Sequence, residues 1–359
     1  MRPAFPEKRG TRNAERGTLF LTMLFAGLVV ACGESGPSGP ARTFHMGFSP
    51  IPPKADTTLL AEVLALTAQH SDAGLVQLSI PWTVLLDDTA AATEVRIVRL
   101  PLVQYYRALG KSVTVALDVT DGLNRAAEAP ELVAAGMSIA DTMVQRLYRE
   151  YVAAVDSILR PDYLSLAAET NLIRLLAPDS VYQAVVTMAG AAAAERNAHG
   201  TRTRLLVSVQ VETAWGGLQG GTGYIGIDQD LTDFPYIKAL GLSSYPYLGG
   251  FATPEDLPAD YYKRLLGGTR LTPVMLEGGW PSEGFNSSPG MQARYISRQA
   301  LILNRARGAV LFQITFTDLD PDLAPGIGPF AHLGLVDTAL TPKPALEVWD
   351  SILDLPRRR

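Results

Sequence analysis

From residue 44 onward, hydrophobic and polar positions repeat one unit. A short, almost wholly apolar run is followed by a polar loop and then by apolar residues at helical spacing. Eight such runs stand out: Phe44–Ser49, Leu75–Ile80, Ser112–Asp118, Tyr163–Ala168, Arg204–Val211, Ala239–Ser244, Pro273–Glu277 and Ala309–Thr315. Stretches such as VTVALD, LLVSVQV and AVLFQIT show no in–out alternation, the pattern of parallel strands covered on both faces. Between them, Asp56–Gln69 places Leu59, Leu60, Val63, Leu64 and Leu66 at helical spacing. Further helices are predicted over Ile139–Leu159, Ser180–Ala198, Met291–Arg305 and Lys343–Ile352, with Ser138 and Asp141 as an acidic variant of the capping pattern. Eight strand–helix units without a break in composition predict a single α/β domain, a (β/α)8 TIM barrel over residues 44–355. An open doubly wound sheet is the alternative. No GxGxxG or GxxxxGK[ST] segment follows a strand, which speaks against nucleotide binding.

The first residues carry a different signal. Arg2, Lys8, Arg9, Arg12 and Arg16 precede an apolar run, Leu19–Ala31, that is too short to span a bilayer comfortably and fits the core of a signal peptide. The run ends Val29-Val30-Ala31-Cys32-Gly33, which resembles a bacterial lipobox, where the cysteine is acylated and becomes the new N-terminus. Cys32 is the chain's one cysteine, so no internal disulfide can form. Residues 1–31 are therefore expected to be a lipoprotein signal peptide. Residues 32–43, Pro/Gly-rich and polar, are expected to be the lipidated cysteine and a flexible tether. An ordinary signal peptide or a buried helix is the plainer reading. The expected location is the bacterial cell envelope, after export, with a lipid on Cys32 as the membrane contact.

Composition removes several classes of function. Hydrophobic residues make up 47% of the 359 and charged residues 19%, enough for a large packed core. The net charge of −5 is spread without a basic stripe, so no nucleic-acid partner is expected. His45, His70, His199 and His332 have neither HxH nor HExxH spacing, so neither a metal site nor a cofactor is expected.

In such a barrel the active site lies at the carboxyl ends of the strands. Two carboxylates end apolar strands directly: Glu169 in YLSLAAETN and Glu277 in PVMLEGGWPS. On strands 4 and 7 they would face each other across the barrel mouth. A pair of this kind carries glycoside hydrolysis, with one carboxyl protonating the leaving oxygen while the other attacks the anomeric carbon or activates water. A strand-end glutamate can equally be a solvated loop residue or an ion-pair partner. Other polar or aromatic residues at strand ends are expected to contact substrate: Trp82, Asp118, Asn171, Glu212, Trp215, Tyr245, Trp280 and Gln313. For the tryptophans this means stacking on sugar rings, with ordinary packing as the alternative.

The two glutamate segments and their placement resemble glycoside hydrolase clan A, whose acid/base and nucleophile glutamates end strands 4 and 7. The segment LEGGWPS is similar to the nucleophile segment of plant-type β-glucanases and of endo-β-1,4-galactanases. The stretch from His332-Leu-Gly-Leu-Val-Asp337 through Lys343-Pro344-Ala345 is similar to the close of many members. As a layout the resemblance covers about residues 44–355, but only these segments are specific. It implies Glu169 as acid/base, Glu277 as nucleophile and Tyr245 as a phenol beside the nucleophile, with a poly- or oligosaccharide as substrate. The chain departs at Ala168, where the clan carries an Asn that contacts the sugar 2-hydroxyl; Asn171 is the candidate replacement. Strand 8 carries Phe312, Gln313 and Phe316 in place of a tryptophan platform. These departures keep open a non-catalytic carbohydrate-binding lipoprotein on the same barrel.

Overall fold

The structure, a computed structural model, describes residues 40–221 and 223–358. The expected signal peptide, Cys32 and the tether up to residue 39 lie outside the described residues. Each of the eight apolar runs overlaps a strand: β1 His45–Phe48, β2 Ala73–Ser79, β3 Ser112–Asp118 and β4 Tyr163–Ser165. Then come β5, in two pieces, Arg204–Leu206 and Ser208–Gln210, followed by β6 Ala239–Ser244, β7 Thr272–Gly278 and β8 Val310–Gln313. Every neighbouring pair is parallel, and β8 returns to pair with β1.

The seam lies in β5, which the sequence presents as one run. Its first piece pairs with β4 and its second with β6. Across the break at Val207, Gly241 N donates to Val207 O (2.9 Å) while Ser208 N donates to Ala167 O (3.0 Å). One strand is thus bonded on both sides, and the sheet closes as a barrel rather than an open sheet. Gly241 permits the close approach: a Cβ there would stand 2.8 Å from Ser208 Cβ.

Both faces of the strands are buried, as their uniform apolarity requires. Leu75, Ala116, Leu206, Val274, Leu276 and Phe312 fill the barrel interior. Val76, Leu78, Val115, Leu117 and Leu311 face the helical layer. The first helix, Thr57–Gln69, starts where the Asp56 carboxylate accepts from Thr58 N (2.7 Å) and Leu59 N (3.0 Å). The helix expected from Ile139 begins at Thr142 instead. Ser138 N donates to the Asp141 carboxylate (2.9 Å), and Ser138 Oγ donates to Glu128 (2.9 Å), which holds 138–141 as a turn. Glu128 ends a hairpin that the hydrophobic pattern does not show, Thr120–Asp121 paired with Asn124–Glu128, inserted directly after β3. The last helix, Pro344–Leu353, lays Trp349 on Phe48 with ring centroids 4.6 Å apart.

Ala41 and Arg42, inside the stretch assigned to the tether, already bond to the barrel, Ala41 through its carbonyl, which accepts from Asn304 Nδ2 (3.1 Å). Arg42 makes the larger set. Its guanidinium is buried and donates to the carbonyls of Phe44 (2.6 Å), Leu353 (2.9 Å) and Leu355 (3.2 Å), and pairs with Asp72 at 2.9 Å. One charge thereby ties the entry of β1 to the end of the final helix. Arg42→Ala removes the donor that these three buried or partly buried carbonyls share, and is expected to cost about 2–4 kcal/mol of folding stability, read by urea unfolding. A loss below 0.5 kcal/mol, about the level of an unremarkable surface change, would show that water replaces the guanidinium freely.

Candidate active site

At the carboxyl ends of the strands the barrel opens into a cleft of about 490 Å³, with Glu169 and Glu277 in its floor together with Gln77, Asp118, Arg125, Gln210 and Tyr245. The two glutamates, 108 positions apart in the chain, are brought there by different local devices. Glu169 follows β4 and adopts a left-handed backbone (φ +49°) as it opens the helix Thr170–Leu176. That conformation costs a non-glycine residue on the order of 1–2 kcal/mol. Its N–H is held by Ser208 Oγ at 2.9 Å. Glu277 sits on β7 where the register against β6 slips between Met275 and Glu277.

The carboxylates have distinct partners. Glu169 Oε1 accepts from Ser243 Oγ (2.7 Å) and Oε2 from Arg125 Nε (2.8 Å). Glu277 Oε1 accepts from Gln77 Nε2 (2.9 Å) and Oε2 from the Tyr245 hydroxyl (3.2 Å). Arg125 Nη1 also meets both oxygens of Asp118, at 2.6 and 2.7 Å. A single buried guanidinium therefore faces three carboxylates, directly paired with two. Burial, and then the charge of Glu169, push the Glu277 carboxyl up to about 8, against the pull of Arg125. Burial acts to lower the Arg125 pKa, but Asp118 and Glu169 outweigh it and hold the guanidinium charged. Burial and the Glu277 charge keep the Tyr245 phenol protonated well above its ordinary range. The ion pair belongs to Glu169, while burial biases Glu277 toward its protonated form.

Leaving the tryptophans aside, the other sequence-predicted contact residues divide into two groups. Asp118 and Tyr245 lie in the cleft with the two glutamates. Glu212, Asn171 and Gln313 are buried behind it. Glu212 accepts from Tyr245 N (2.9 Å), Ser244 Oγ (2.8 Å) and the Tyr261 hydroxyl (2.8 Å), so it positions Tyr245 rather than substrate. Burial raises its pKa, and these bonds oppose the rise. Asn171 spends its amide on the backbone of Gln210, donating at 2.9 Å and accepting at 2.7 Å, and so does not replace the missing Asn at position 168. Gln313 Nε2 donates to Gln299 (2.5 Å).

The three candidate tryptophans are packing residues. Trp82 is in the core, and Trp280 lies 5.5 Å from Tyr295 with its Nε1 donating to Ser287 (2.9 Å). Trp215 stacks on Tyr261 at 5.0 Å and is covered by the Arg264 guanidinium at 4.9 Å. Trp82 opens the short helix Trp82–Leu86 and the other two follow their strands into loops, but none of the three rings lines the cleft. Phe330, edge-on to Tyr245 at 5.0 Å, is the aromatic ring that lines the cleft beside it.

Arg125, Gln77 and Ser243 were not foreseen. Gln77 is the polar residue in the middle of LVQLS of β2, a detectable signal. Arg125 gives none, because the polar hairpin that carries it reads as a loop. A larger hollow of about 1260 Å³ lies at the opposite, amino-terminal end of the strands, lined by Arg160, Arg202 and Arg204 among others. It is remote from the glutamate pair. Among the described residues no group of three His, Cys, Asp or Glu is placed to hold a metal ion.

A neutral Glu277 fixes the sign of a pH effect on stability. Between the ordinary glutamate value and about 8 the folded chain retains a proton that the unfolded chain has released. Stability is therefore lost as pH rises through this window. Glu277→Gln removes the penalty and is expected to be more stable than the parent by roughly 1–3 kcal/mol at pH 8, with little difference at pH 4.5. Urea unfolding across this range checks it, and a gap independent of pH would show that the carboxyl is ionised without cost.

No known protein family and no curated protein matches the chain in sequence. Solved structures do resemble it. Exo-β-1,4-mannosidase Op5Man5 from Opitutaceae bacterium strain TAV5 superposes with a TM-score of 0.64 at 15% identity over 87% of this chain, which spans 59% of that enzyme's length. GH5_18 from Streptomyces cattleya in complex with GlcNAc gives a TM-score of 0.63 at 15% identity, covering 89% of this chain and 83% of that one. The Ignisphaera aggregans GH53 catalytic domain gives 0.59 at 13% identity, covering 88% and 98%. The fold of this chain is a (β/α)8 barrel, and it shares that fold with these structures.

Proposed function

We propose that the chain is a retaining glycoside hydrolase that cleaves O-glycosidic bonds with Glu169 and Glu277. The observation that carries this is a buried carboxylate pair at the ends of β4 and β7 in one cleft, with a proton favoured on one member. Retention needs a carboxyl that protonates the leaving oxygen and a carboxylate that attacks the anomeric carbon, after which water, deprotonated by the first group, releases the sugar. The resemblance assigns Glu169 the first role and Glu277 the second. Burial biases the proton toward Glu277, so the assigned roles require Glu277 to ionise and Glu169 to take up a proton when substrate binds. Arg125 is built for that change: it can release Glu169 while both Asp118 oxygens still hold it. Tyr245 and Gln77 then stabilise the Glu277 anion as donors. The sequence supports an exported protein anchored through a lipid on Cys32 and acting on poly- or oligosaccharide outside the cytoplasm.

The Arg125 clamp on Glu169 and the alanine at 168 favour a second reading, a carbohydrate-binding protein without turnover. A panel of aryl β-glycosides separates the two. Glu169→Gln and Glu277→Gln are each expected to lower kcat by roughly 10³-fold or more. With azide, Glu277→Gly is expected to give a glycosyl azide of inverted configuration and Glu169→Gly one of retained configuration; the opposite pattern exchanges the two roles. Turnover that survives Glu277→Gln, or its absence in the parent despite glycan binding, would overturn the hydrolase assignment.

A further inference from the structure

The floor and walls of the cleft differ in chemistry. The floor carries the carboxylates, Arg125 and Tyr245, while the walls are largely aliphatic, with Ile51, Leu123, Leu172, Leu176, Leu218 and Ile327 beside the one ring of Phe330. These side chains come from five separate segments. Ile51 follows β1, Leu123 is the tip of the hairpin after β3, and Leu172 and Leu176 stand one turn apart on the helix opened by Glu169. Leu218 follows β5 and Ile327 follows β8. The hairpin tip reaches across toward the β8 loop, where a Cβ on Gly326 would lie 3.8 Å from Leu123 Cδ1. Three of the wall residues remain open to solvent, Leu123 at 49%, Leu176 at 50% and Leu218 at 37%.

Exposed leucines gathered around one opening mark a surface made to be covered. A wholly sugar substrate is a poor cover. A pyranose directs hydroxyls outward on most sides, and each one pressed against an aliphatic wall loses water without gaining a partner. The flat indole faces that accept a sugar's C–H surface are absent, since among the described residues no tryptophan lines the cleft. The volume, about 490 Å³, holds more than one hexose ring. A molecule that satisfies both regions carries one sugar and one apolar chain.

We propose that the cleft takes amphipathic glycosides, in which a sugar sits on the carboxylate floor and an alkyl or lipid aglycone lies along the aliphatic walls. Cleavage of such a molecule rests on the hydrolase reading; its binding does not. In the reaction the Glu277 carboxylate bonds to the anomeric carbon as the bond from that carbon to the aglycone oxygen breaks, and that oxygen takes the proton of the acid carboxyl and leaves as an alcohol. Water then gives its proton back to that carboxylate and bonds to the anomeric carbon as the bond to Glu277 breaks, which frees the sugar with its new hydroxyl.

Methyl, butyl, hexyl and octyl β-glycosides of glucose, galactose and mannose, used below their micelle concentrations, test the proposal. With the parent protein, kcat/KM is expected to rise about two- to fourfold per added methylene through the length of the walls. Leu123→Ser and Leu176→Ser are expected to collapse the octyl-to-methyl ratio at least tenfold. Leu301→Ser, a leucine 44% exposed on the outer helix Pro289–Arg305, is expected to leave it unchanged. A flat series in the parent, or an oligosaccharide preferred over every octyl glycoside, overturns the proposal while leaving hydrolysis standing. If no glycoside is cleaved, the hydrolase reading fails. Calorimetric affinity then decides the cleft: a rise from methyl to octyl supports an apolar aglycone and equal affinities exclude it. Leucine variants that change the oligomeric state but not the series would show that the walls meet a second copy, and would also overturn the proposal.

Discussion

Two buried carboxylates at one barrel mouth cannot both carry charge without compensation, and the upper half of this molecule is arranged around that constraint. Arg125 supplies one positive charge and divides it between Glu169 and Asp118. Glu277 is left with neutral donors, Gln77 and Tyr245, which satisfy its oxygens without cancelling a charge. The consequence is an asymmetric pair, one glutamate ion-paired and the other favouring its proton. Such asymmetry separates acid from base in enzymes that use two like groups. Here it rests on an element, the hairpin after β3, that is an addition to the barrel rather than part of its repeat.

The support behind the pair is as specific as the pair itself. Glu212 is fully buried, and its bonds hold the Tyr245 backbone, Ser244 and Tyr261. Ser208 and Ser243, from the second piece of β5 and from β6, hold Glu169 by its N–H and its carboxylate. The seam of the barrel and the placement of Glu169 are therefore one problem. Closing the sheet at β5 puts Ser208 beside the residue that leaves β4, and a strand that paired on one side alone would leave that N–H without its acceptor.

The strands were legible because burial on both faces imposes a uniform apolar run that few other structures need. The two glutamates were legible because a charged residue ending such a run has little place to go except the barrel mouth. Arg125 was not, since a polar hairpin has no periodic signature and its tip could have faced solvent. The tryptophans misled for a related reason. Residue type reports that a ring is large and flat, whereas the path of the loop decides which surface it covers. Asn171 and Gln313 show the same limit: a polar side chain near a strand end is drawn to the nearest unpaired group, whether backbone or a neighbouring amide, before any ligand.

Glu169 is both the last residue leaving the sheet and the cap of the helix that carries Leu172 and Leu176. Its left-handed backbone is a stiff elbow with no intervening linker. A molecule that touches those leucines touches the helix whose cap carries the carboxylate. The apolar rim and the charged floor thus share one residue as their junction.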